Sequence, residues 1–112
     1  MEDNRRTGMS QFVVIVEFQV KPGCLEAFSR AIETNARASV AEEPGCLQFD
    51  VLHNHDDPHH VVLYEVYESE AAFRDDHMQR SHTQAFLAEA KALVAKQTVY
   101  KLTRTFAPRV KQ

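Results

Sequence analysis

The chain has 112 residues, a formal net charge of −3 at pH 7 and 26% charged side chains, which is an ordinary composition for a single globular domain. The acidic balance offers no basic surface to a phosphate backbone and argues against nucleic-acid binding. The longest apolar run, Phe12 to Val16, is too short to span a membrane, and the N-terminus resembles no signal peptide. Together with only two cysteines, these properties predict a cytoplasmic protein in a reducing compartment.

The first half of the chain predicts a strand followed by a long helix. Residues 1–9 are polar and are expected to form a disordered leader. Apolar residues from Gln11 to Val20 predict a strand that is apolar on both faces. A helix is then expected from Cys24 to Glu42, ending at Glu43-Pro44-Gly45. Its apolar stripe would consist of Leu25, Phe28, Ile32 and Val40.

Two further strands are predicted on either side of a polar hairpin loop. The second strand runs from Cys46 to His53 and the third from Val61 to Tyr67, with the loop over residues 53–60. Side chains alternate between the two faces of a strand. One face of the second strand would therefore carry Leu47, Phe49 and Val51, and one face of the third would carry Leu63, Glu65 and Tyr67.

The last part of the chain predicts a broken helix and a closing strand. Ser69 is placed as the N-cap of a first helical segment and Ser81 as the N-cap of a second one. A fourth strand is expected from Thr98 to Phe106. This order of elements predicts an α+β fold, ferredoxin-like βαββαβ, with a four-stranded antiparallel sheet. The domain would span residues 10–107, followed by a tail of residues 108–112.

Glu65 is the first candidate for a functional residue. It would lie on an apolar face of a strand that is apolar on both sides, where an unpaired carboxylate is costly. The carboxylate therefore needs a partner or has a chemical role. A sheet that is apolar on both faces also has one face left over after its own helices pack, which predicts a homodimer.

Three further polar residues are expected to point into the same interior. Asn35 continues the stripe of the first helix, either as a satisfied core amide or as a hydrogen-bond donor to a ligand. His77 and His82 fall on inward helix positions, either as structural histidines or as proton carriers near neutral pH. With Glu65 and Tyr67 they predict one polar cluster in an apolar pocket.

The loop histidines and the cysteines give weaker signals. The four histidines of residues 53–60 offer nitrogen ligands, but no cysteine or carboxylate spacing completes a metal site, so none is predicted there. Cys24 and Cys46 are interpreted as small apolar fillers. The sequence contains no glycine-rich phosphate loop and no nucleotide fingerprint, which argues against a bound dinucleotide. No metal or other cofactor is expected.

Three parts of the chain carry a recognisable pattern: Glu43 to Asp50, Tyr64 to Phe73, and His77 with Ser81-His82. Over about residues 10–106 this pattern resembles the antibiotic biosynthesis monooxygenase family. The resemblance implies a ferredoxin-like subunit whose sheet closes against that of a second copy into a dimeric α+β barrel. It also implies oxidation of a quinol-like or polycyclic aromatic substrate by O₂, without metal or flavin.

The resemblance further implies a pocket between the sheet and the helices. In that pocket His82 or His77 would remove a phenolic proton, and Glu65 would orient this base or tune its pKa. Other side chains would hold the substrate oxygens and exclude water. These substrate-binding residues would be Asn35, Tyr67, Phe28, Phe49 and Phe86.

Two alternatives stay open at the level of the sequence. The segments Phe49 to Leu52 and Tyr64 to Tyr67 are similar to isomerases of a phosphorylated autoinducer, although Ala36 stands where those enzymes carry a histidine. Such an isomerase would bind phosphate through inward-facing arginines, with Arg30, Arg37 and Arg104 as the candidates. The second alternative is a non-catalytic dimeric binding module. Haem degradation is not expected, because the chain has no Trp and its first strand has no Asn.

Overall fold

The computed structural model describes residues 11–108, so the predicted leader and most of the predicted tail lie outside the described residues. The regular elements are β1 (Phe12–Val20), α1 (Leu25–Glu42), β2 (Cys46–His53), β3 (His60–Tyr67), α2 (Ser81–Leu93) and β4 (Val94–Thr103). All neighbouring strands are antiparallel, in the order β2-β3-β1-β4. The predicted α+β, ferredoxin-like fold is therefore confirmed. Among the described residues, no helix has both the length and the apolar character needed to cross a membrane.

The core lies between one face of the sheet, the helix face, and the two α-helices. Apolar residues alternate along β1, so Val14 and Phe18 are buried on the helix face. The rings of Phe18, Phe28 and Phe86 contact one another edge to face, with centroids 5.0–6.0 Å apart. This aromatic cluster fixes both helices on the sheet.

An irregular helical segment, residues 72–79, connects β3 to α2. It consists of a π-helical turn, Ala72–Asp76, and a 3₁₀ turn, His77–Gln79. The Ser69 hydroxyl accepts a hydrogen bond from the Ala72 amide at 3.1 Å, so the predicted cap at Ser69 is confirmed. The predicted cap at Ser81 is wrong, because Arg80 has the extended backbone of the N-cap and Ser81 is already helical.

Two apolar side chains lie outside the core, against the prediction. The buried face of α1 passes through Asn35 and Ser39. Val40, one residue further along, points about 100° away from Ser39 around the helix and is 50% exposed. On β2 a bulge leaves one extra residue between the pairs formed by Cys46 and Gln48 with β3. Leu47 is that residue, and it is 47% exposed while Cys46 is buried.

The fourth strand begins earlier than predicted, at Val94 instead of Thr98, and ends at Thr103. The sequence from Ala95 to Gln97 favours a helix, but pairing along the whole of β1 overrides this local preference. The outer face of the sheet, opposite the helices, carries exposed apolar side chains at Leu52, Tyr100 and Leu102. The predicted homodimer stays a prediction, and this face is its natural candidate surface.

Candidate active site

A cavity of about 440 Å³ opens between the helix face of the sheet, α2 and the irregular segment. Its walls are mostly apolar, a property typical of small-molecule sites. The apolar wall consists of Val14, Val16, Phe18, Phe49, Leu63, Phe73, Met78, Phe86, Leu87 and Val99. The polar lining consists of Asn35, Glu65, Glu70, Arg74, His77, Gln79, Thr83, Gln97 and Lys101. Five of the predicted site residues therefore share one cavity, namely Asn35, Phe49, Glu65, His77 and Phe86.

Glu65 is held on the floor of this cavity by β3. Its side chain is almost fully buried and accepts a hydrogen bond of 2.5 Å from the Tyr67 hydroxyl, two residues along the same face. Burial raises the pKa of Glu65 to about 7; the Tyr67 hydrogen bond lowers it and the nearby Glu43 charge raises it. The carboxyl group can thus exchange a proton near neutral pH.

Tyr67 acts on Glu65 and does not line the cavity. Its ring is completely buried between Phe73 and His77, with centroid distances of 5.3 and 5.2 Å. Burial and the neighbouring Glu65 charge raise the pKa of the Tyr67 phenol far above its usual range, so the phenol stays a hydrogen-bond donor. Phe28 also lies outside the lining, beneath the wall in the aromatic cluster.

His77 begins the 3₁₀ turn of the irregular segment and is buried beside Glu65. Its Nδ1–H donates to both carboxylate oxygens of Glu43, at 3.0 and 2.9 Å. This places the lone pair of neutral His77 on Nε2, which lies 3.9 Å from Glu65 Oε1. Burial lowers the pKa of His77, while the hydrogen bond and the charge of Glu43 partly oppose this effect.

Glu43 is a site residue that the sequence interpretation missed. It follows the last residue of α1, is almost fully buried, and also accepts a hydrogen bond of 2.6 Å from His82 Nε2. A signal for it existed, because Glu43 continues the four-three-four-four spacing of the buried residues of α1, which are Phe28, Ile32, Asn35 and Ser39. The sequence interpretation treated Glu43 only as part of the segment that ends the helix.

His82 does not line the cavity and is linked to it through Glu43 and His77. It heads α2 and lines a smaller groove between α1 and α2, not the main cavity. Its Nδ1 lies 3.9 Å from Glu42 Oε1. Of the two predicted histidines, only His77 therefore faces the space in which a substrate would bind.

Asn35 supplies an amide to the wall of the cavity. Its side chain is 3% exposed, and its Oδ1 has no hydrogen-bond partner among the described residues. The hydroxyl of Ser39, one turn further along α1, is likewise buried without such a partner. Buried polar atoms in proteins are nearly always paired, so a ligand or water group is the expected partner of this amide.

The arginines predicted to bind phosphate lie elsewhere, so that part of the prediction is wrong. Arg30 and Arg37 are exposed and pair with Glu26 and Glu33 on their own helix. Arg104 donates to the Tyr64 hydroxyl, which belongs to the outer face of the sheet. The cations at the mouth of the cavity are instead Arg74, paired with Glu70 and Asp75, and Lys101, whose Nζ is 5.8 Å from the Phe73 ring centroid.

Two of the loop histidines contact other residues of the chain, and Cys46 is buried. His53 Nδ1 lies 2.9 Å from the Pro58 carbonyl oxygen, and His60 Nε2 lies 3.1 Å from Glu17 Oε1. Within residues 11–108 these loop histidines do not belong to any cluster of three metal-ligating groups. Burial raises the pKa of the Cys46 thiol to about 12, so this cysteine is an inert filler.

Comparison with known proteins now identifies the family. The sequence profile of antibiotic biosynthesis monooxygenases matches residues 11–89. The chain belongs to the antibiotic biosynthesis monooxygenase family. A solved structure from Nitrosomonas europaea that carries the same family name is 29% identical, with a TM-score of 0.81 over 86% of this chain and 91% of that one.

Two proteins with similar sequences are isomerases of (4S)-4-hydroxy-5-phosphonooxypentane-2,3-dione. The relative from Yersinia enterocolitica is 40% identical over 60 residues, which cover 54% of this chain and 62% of that protein. The relative from Photorhabdus laumondii is 32% identical over 83 residues, which cover 74% of this chain and 82% of that protein. Both relatives therefore match the alternative activity and not the oxidation that the family name describes.

Proposed function

We propose that this protein is a proton-transfer isomerase of a small, phosphorylated α-hydroxy dicarbonyl compound. The observation that carries the proposal is the pair formed by His77 and Glu65, whose nearest atoms are 3.9 Å apart at one apolar cavity. The similarity to two isomerases of a phosphorylated hydroxy-dione supports the same class of substrate. The proposal replaces the quinol oxidation expected from the sequence as the first candidate.

The chemistry needs a base, an acid and a site for a developing oxyanion. In a 4-hydroxy-2,3-dione, removal of the proton from C4 gives an enediolate across C3 and C4. Return of a proton to C3, with a proton moved from the C4 oxygen to the C3 oxygen, completes the isomerisation with no oxidant and no net change in atoms. A base whose pKa lies near the working pH is best suited to the first step.

His77 is the proposed base, because its Nε2 lone pair faces the cavity while Glu43 accepts its Nδ1–H. Protonation of Nε2 makes an imidazolium that the Glu43 carboxylate stabilises. Glu65 is placed to carry the second proton between the substrate oxygens, since burial brings its pKa to about 7. The Nδ2–H₂ group of Asn35 would donate to one of these oxygens, and its unpaired Oδ1 would accept a hydrogen bond from the substrate hydroxyl group.

The phosphate end of the substrate is proposed to lie at the mouth of the cavity. Lys101 and Arg74 are the cations that line it, on β4 and the irregular segment respectively. His77 and Glu65 lie deeper, at the buried end. A substrate bound in this direction would expose its charged group to solvent and place its carbonyl groups against the acid–base pair.

The test is product analysis without oxygen. The phosphorylated hydroxy-dione is incubated with the protein in anaerobic D₂O and followed by NMR, with deuterium expected at C3 of the isomerised product. His77→Gln should lower the rate by about 10²–10⁴-fold, the usual range for loss of a general base. His53→Gln, in the exposed hairpin, is the matched control and should keep the wild-type rate. Consumption of substrate only when O₂ is present would contradict the proposal.

A cofactor-independent monooxygenase is the second candidate, and the aromatic wall of the cavity favours it. Phe18, Phe49, Phe73 and Phe86 would pack well against a flat quinol-like or polycyclic substrate. In this reaction the same His77 would remove a phenolic proton before O₂ accepts an electron. Oxygen uptake by metal-stripped protein with a menadiol- or anthrone-like substrate tests it. If neither substrate class turns over, the non-catalytic binding module becomes the better hypothesis.

A further inference from the structure

Three ligand groups of different helical elements converge beside the cavity. His77 Nδ1, His82 Nε2 and a carboxylate oxygen of Glu43 all lie within 4.8 Å of one another. Glu43 and His77 are buried, and His82 is partly buried. Two imidazoles and one carboxylate are a common ligand set of zinc sites that keep a fourth position open.

No lysine or arginine side chain of the described chain is buried with this cluster. Among the described residues the buried charged side chains include Glu43 and Glu65 but no lysine or arginine. Arg80 pairs with Asp76 at 2.6 Å and acts on Glu43 only through its charge, without a hydrogen bond. Buried carboxylates are stable only when a proton or a cation compensates them, and a metal ion bound to Glu43 would supply such a cation.

The second nitrogen of each histidine has its own carboxylate. His77 Nε2 lies 3.9 Å from Glu65 Oε1, and His82 Nδ1 lies 3.9 Å from Glu42 Oε1. Histidines that bind a metal usually present their other ring N–H to a carboxylate or carbonyl, which fixes the ring and the tautomer. At 3.9 Å neither pair forms a hydrogen bond, but each carboxylate lies close enough to accept one after a small movement of its side chain.

We propose that Glu43, His77 and His82 form a binding site for Zn²⁺, with water or a ligand in the fourth position. Nitrogen ligands favour a borderline metal such as zinc over magnesium or calcium. Around a tetrahedral zinc with bonds of about 2.0 Å the ligand atoms are roughly 3.3 Å apart. The distances from Glu43 Oε2, now 2.9 Å to His77 Nδ1 and 2.6 Å to His82 Nε2, would have to widen by about 0.4 and 0.7 Å. The ligand nitrogens of the two histidines, now within 4.8 Å of each other, would have to reach the same spacing of about 3.3 Å.

An occupied site would also act on the cavity, and this consequence rests on the proposed function. Zinc on Nδ1 of neutral His77 moves its proton to Nε2, so His77 loses the lone pair that it offers to a substrate. Zinc would then inhibit the isomerisation while it stabilises the fold. Binding itself does not depend on any turnover, so the two proposals can fail separately.

Calorimetric titration of the metal-stripped full chain with ZnCl₂, after removal of any purification tag, tests the site. One equivalent per chain is expected, together with a higher melting temperature, because a ligand of the native state stabilises it. Co²⁺ in place of zinc should give the visible absorption of a tetrahedral site. His82→Ala should weaken binding by more than the roughly 10–100-fold that loss of an outer partner costs.

The controls separate this cluster from the other histidines of the chain. His53→Ala removes a histidine from the hairpin loop and should leave the affinity unchanged. Glu43→Gln keeps the volume of the side chain but removes its charge, and it serves as the second variant if circular dichroism shows that His82→Ala is unfolded. No stoichiometric binding by wild type, or binding that survives loss of His82 or of the Glu43 charge in a folded variant, would overturn the proposal.

Discussion

At Glu65 the fold keeps a carboxyl group where its charged form is disfavoured. Burial raises the pKa of Glu65 to about 7, from 4.5 for an unperturbed glutamate. A carboxyl group whose pKa is raised in the folded state binds its proton more tightly there than in the unfolded chain. Its contribution to stability is therefore complete below about pH 4.5 and is lost as pH rises through about 7.

Glu65→Gln should remove this pH dependence. From pH 4.5 to pH 8 the contribution of Glu65 to the free energy of unfolding should fall by about 3 kcal/mol in the wild type. Glutamine cannot ionise, yet its oxygen can still accept the Tyr67 hydrogen bond, so the variant should be more stable than the wild type at pH 8. Urea unfolding at both pH values, with a chelator present, measures the difference.

The matched control for this measurement is Glu70→Gln. Glu70 lines the mouth of the same cavity but is exposed, so its replacement should leave the pH dependence of the wild type in place. If Glu65→Gln and the wild type lost stability equally between the two pH values, the raised pKa would be wrong.

Tyr67→Phe should move the titration of Glu65 to a higher pH. The phenol hydrogen bond lowers the pKa of Glu65, so its loss leaves burial and the Glu43 charge unopposed. The buried carboxylate would lose a partner at a cost of about 1–3 kcal/mol above neutral pH. The ¹³C shift of the Glu65 carboxyl group, followed by NMR across the pH range, reports the midpoint.

Tyr64→Phe is the control for that titration, because Tyr64 lies on the outer face of the sheet and its hydroxyl accepts from Arg104. This variant should leave the Glu65 midpoint where it is. An unchanged midpoint in Tyr67→Phe would show that the hydrogen bond does not tune the acid.

At the scale of elements, the site is positioned by the contact between Gly45, just before β2, and the irregular segment. A Cβ placed on Gly45 would lie 2.5 Å from the Cβ of Ala72, closer than real Cβ atoms approach. The absence of a side chain at Gly45 therefore lets residues 72–79 approach the end of α1. This approach brings His77 within hydrogen-bond distance of Glu43.

Gly45→Ala should force these elements apart. Overpacking of this kind usually costs about 1–3 kcal/mol, and the shift should weaken the hydrogen bond between Glu43 and His77. Gly23→Ala is the matched control: it has nothing within 4 Å, and its φ of 79° costs only backbone strain. Thermal unfolding with the His77 imidazole shifts in NMR should reveal both effects in Gly45→Ala and only a stability loss in Gly23→Ala. Unaltered imidazole shifts in Gly45→Ala would contradict the role of Gly45.

The strands could be predicted from the sequence because alternation is a local signal. Both β1 and β2 lie within a residue of their predicted bounds, and Glu65 lies on the predicted face. The bulge at Leu47 and the early start of β4 could not be predicted in this way. Both depend on pairing with a neighbouring strand, which overrides the local pattern.

The site was partly predictable for the same reason. Asn35 and His77 follow a helical spacing, and both line the cavity. Glu43 also follows this helical spacing. However, residues at helix ends are often exposed, so the sequence around Glu43 indicates only where the helix ends. The contact between His77 and Glu43 could not be predicted, because residues 72–79 form a π-helical and a 3₁₀ turn, and these depart from the regular helix on which the spacing argument rests.

At the scale of the whole molecule, β4 leaves the sheet with a long edge. The strand has ten residues, and Val99, Tyr100 and Leu102 are all more than 40% exposed. Natural proteins avoid free apolar edges because they pair with other chains. The cavity also opens toward this strand, since Gln97, Val99 and Lys101 belong to its lining. A second copy that covers the outer face and this edge would close both, as the predicted homodimer requires.

Leu102→Asp should therefore convert a dimer into monomers. Leu102 is 45% exposed on the outer face, and a charge there would be buried without a partner in the dimer. Val40→Asp is the matched control, because Val40 is equally exposed but lies on α1, away from this face. Size-exclusion chromatography with light scattering should give about twice the chain mass of 12.8 kDa for wild type and for Val40→Asp, and the chain mass for Leu102→Asp. A monomeric wild type would leave the apolar edge unexplained and would remove the dimer from the proposed architecture.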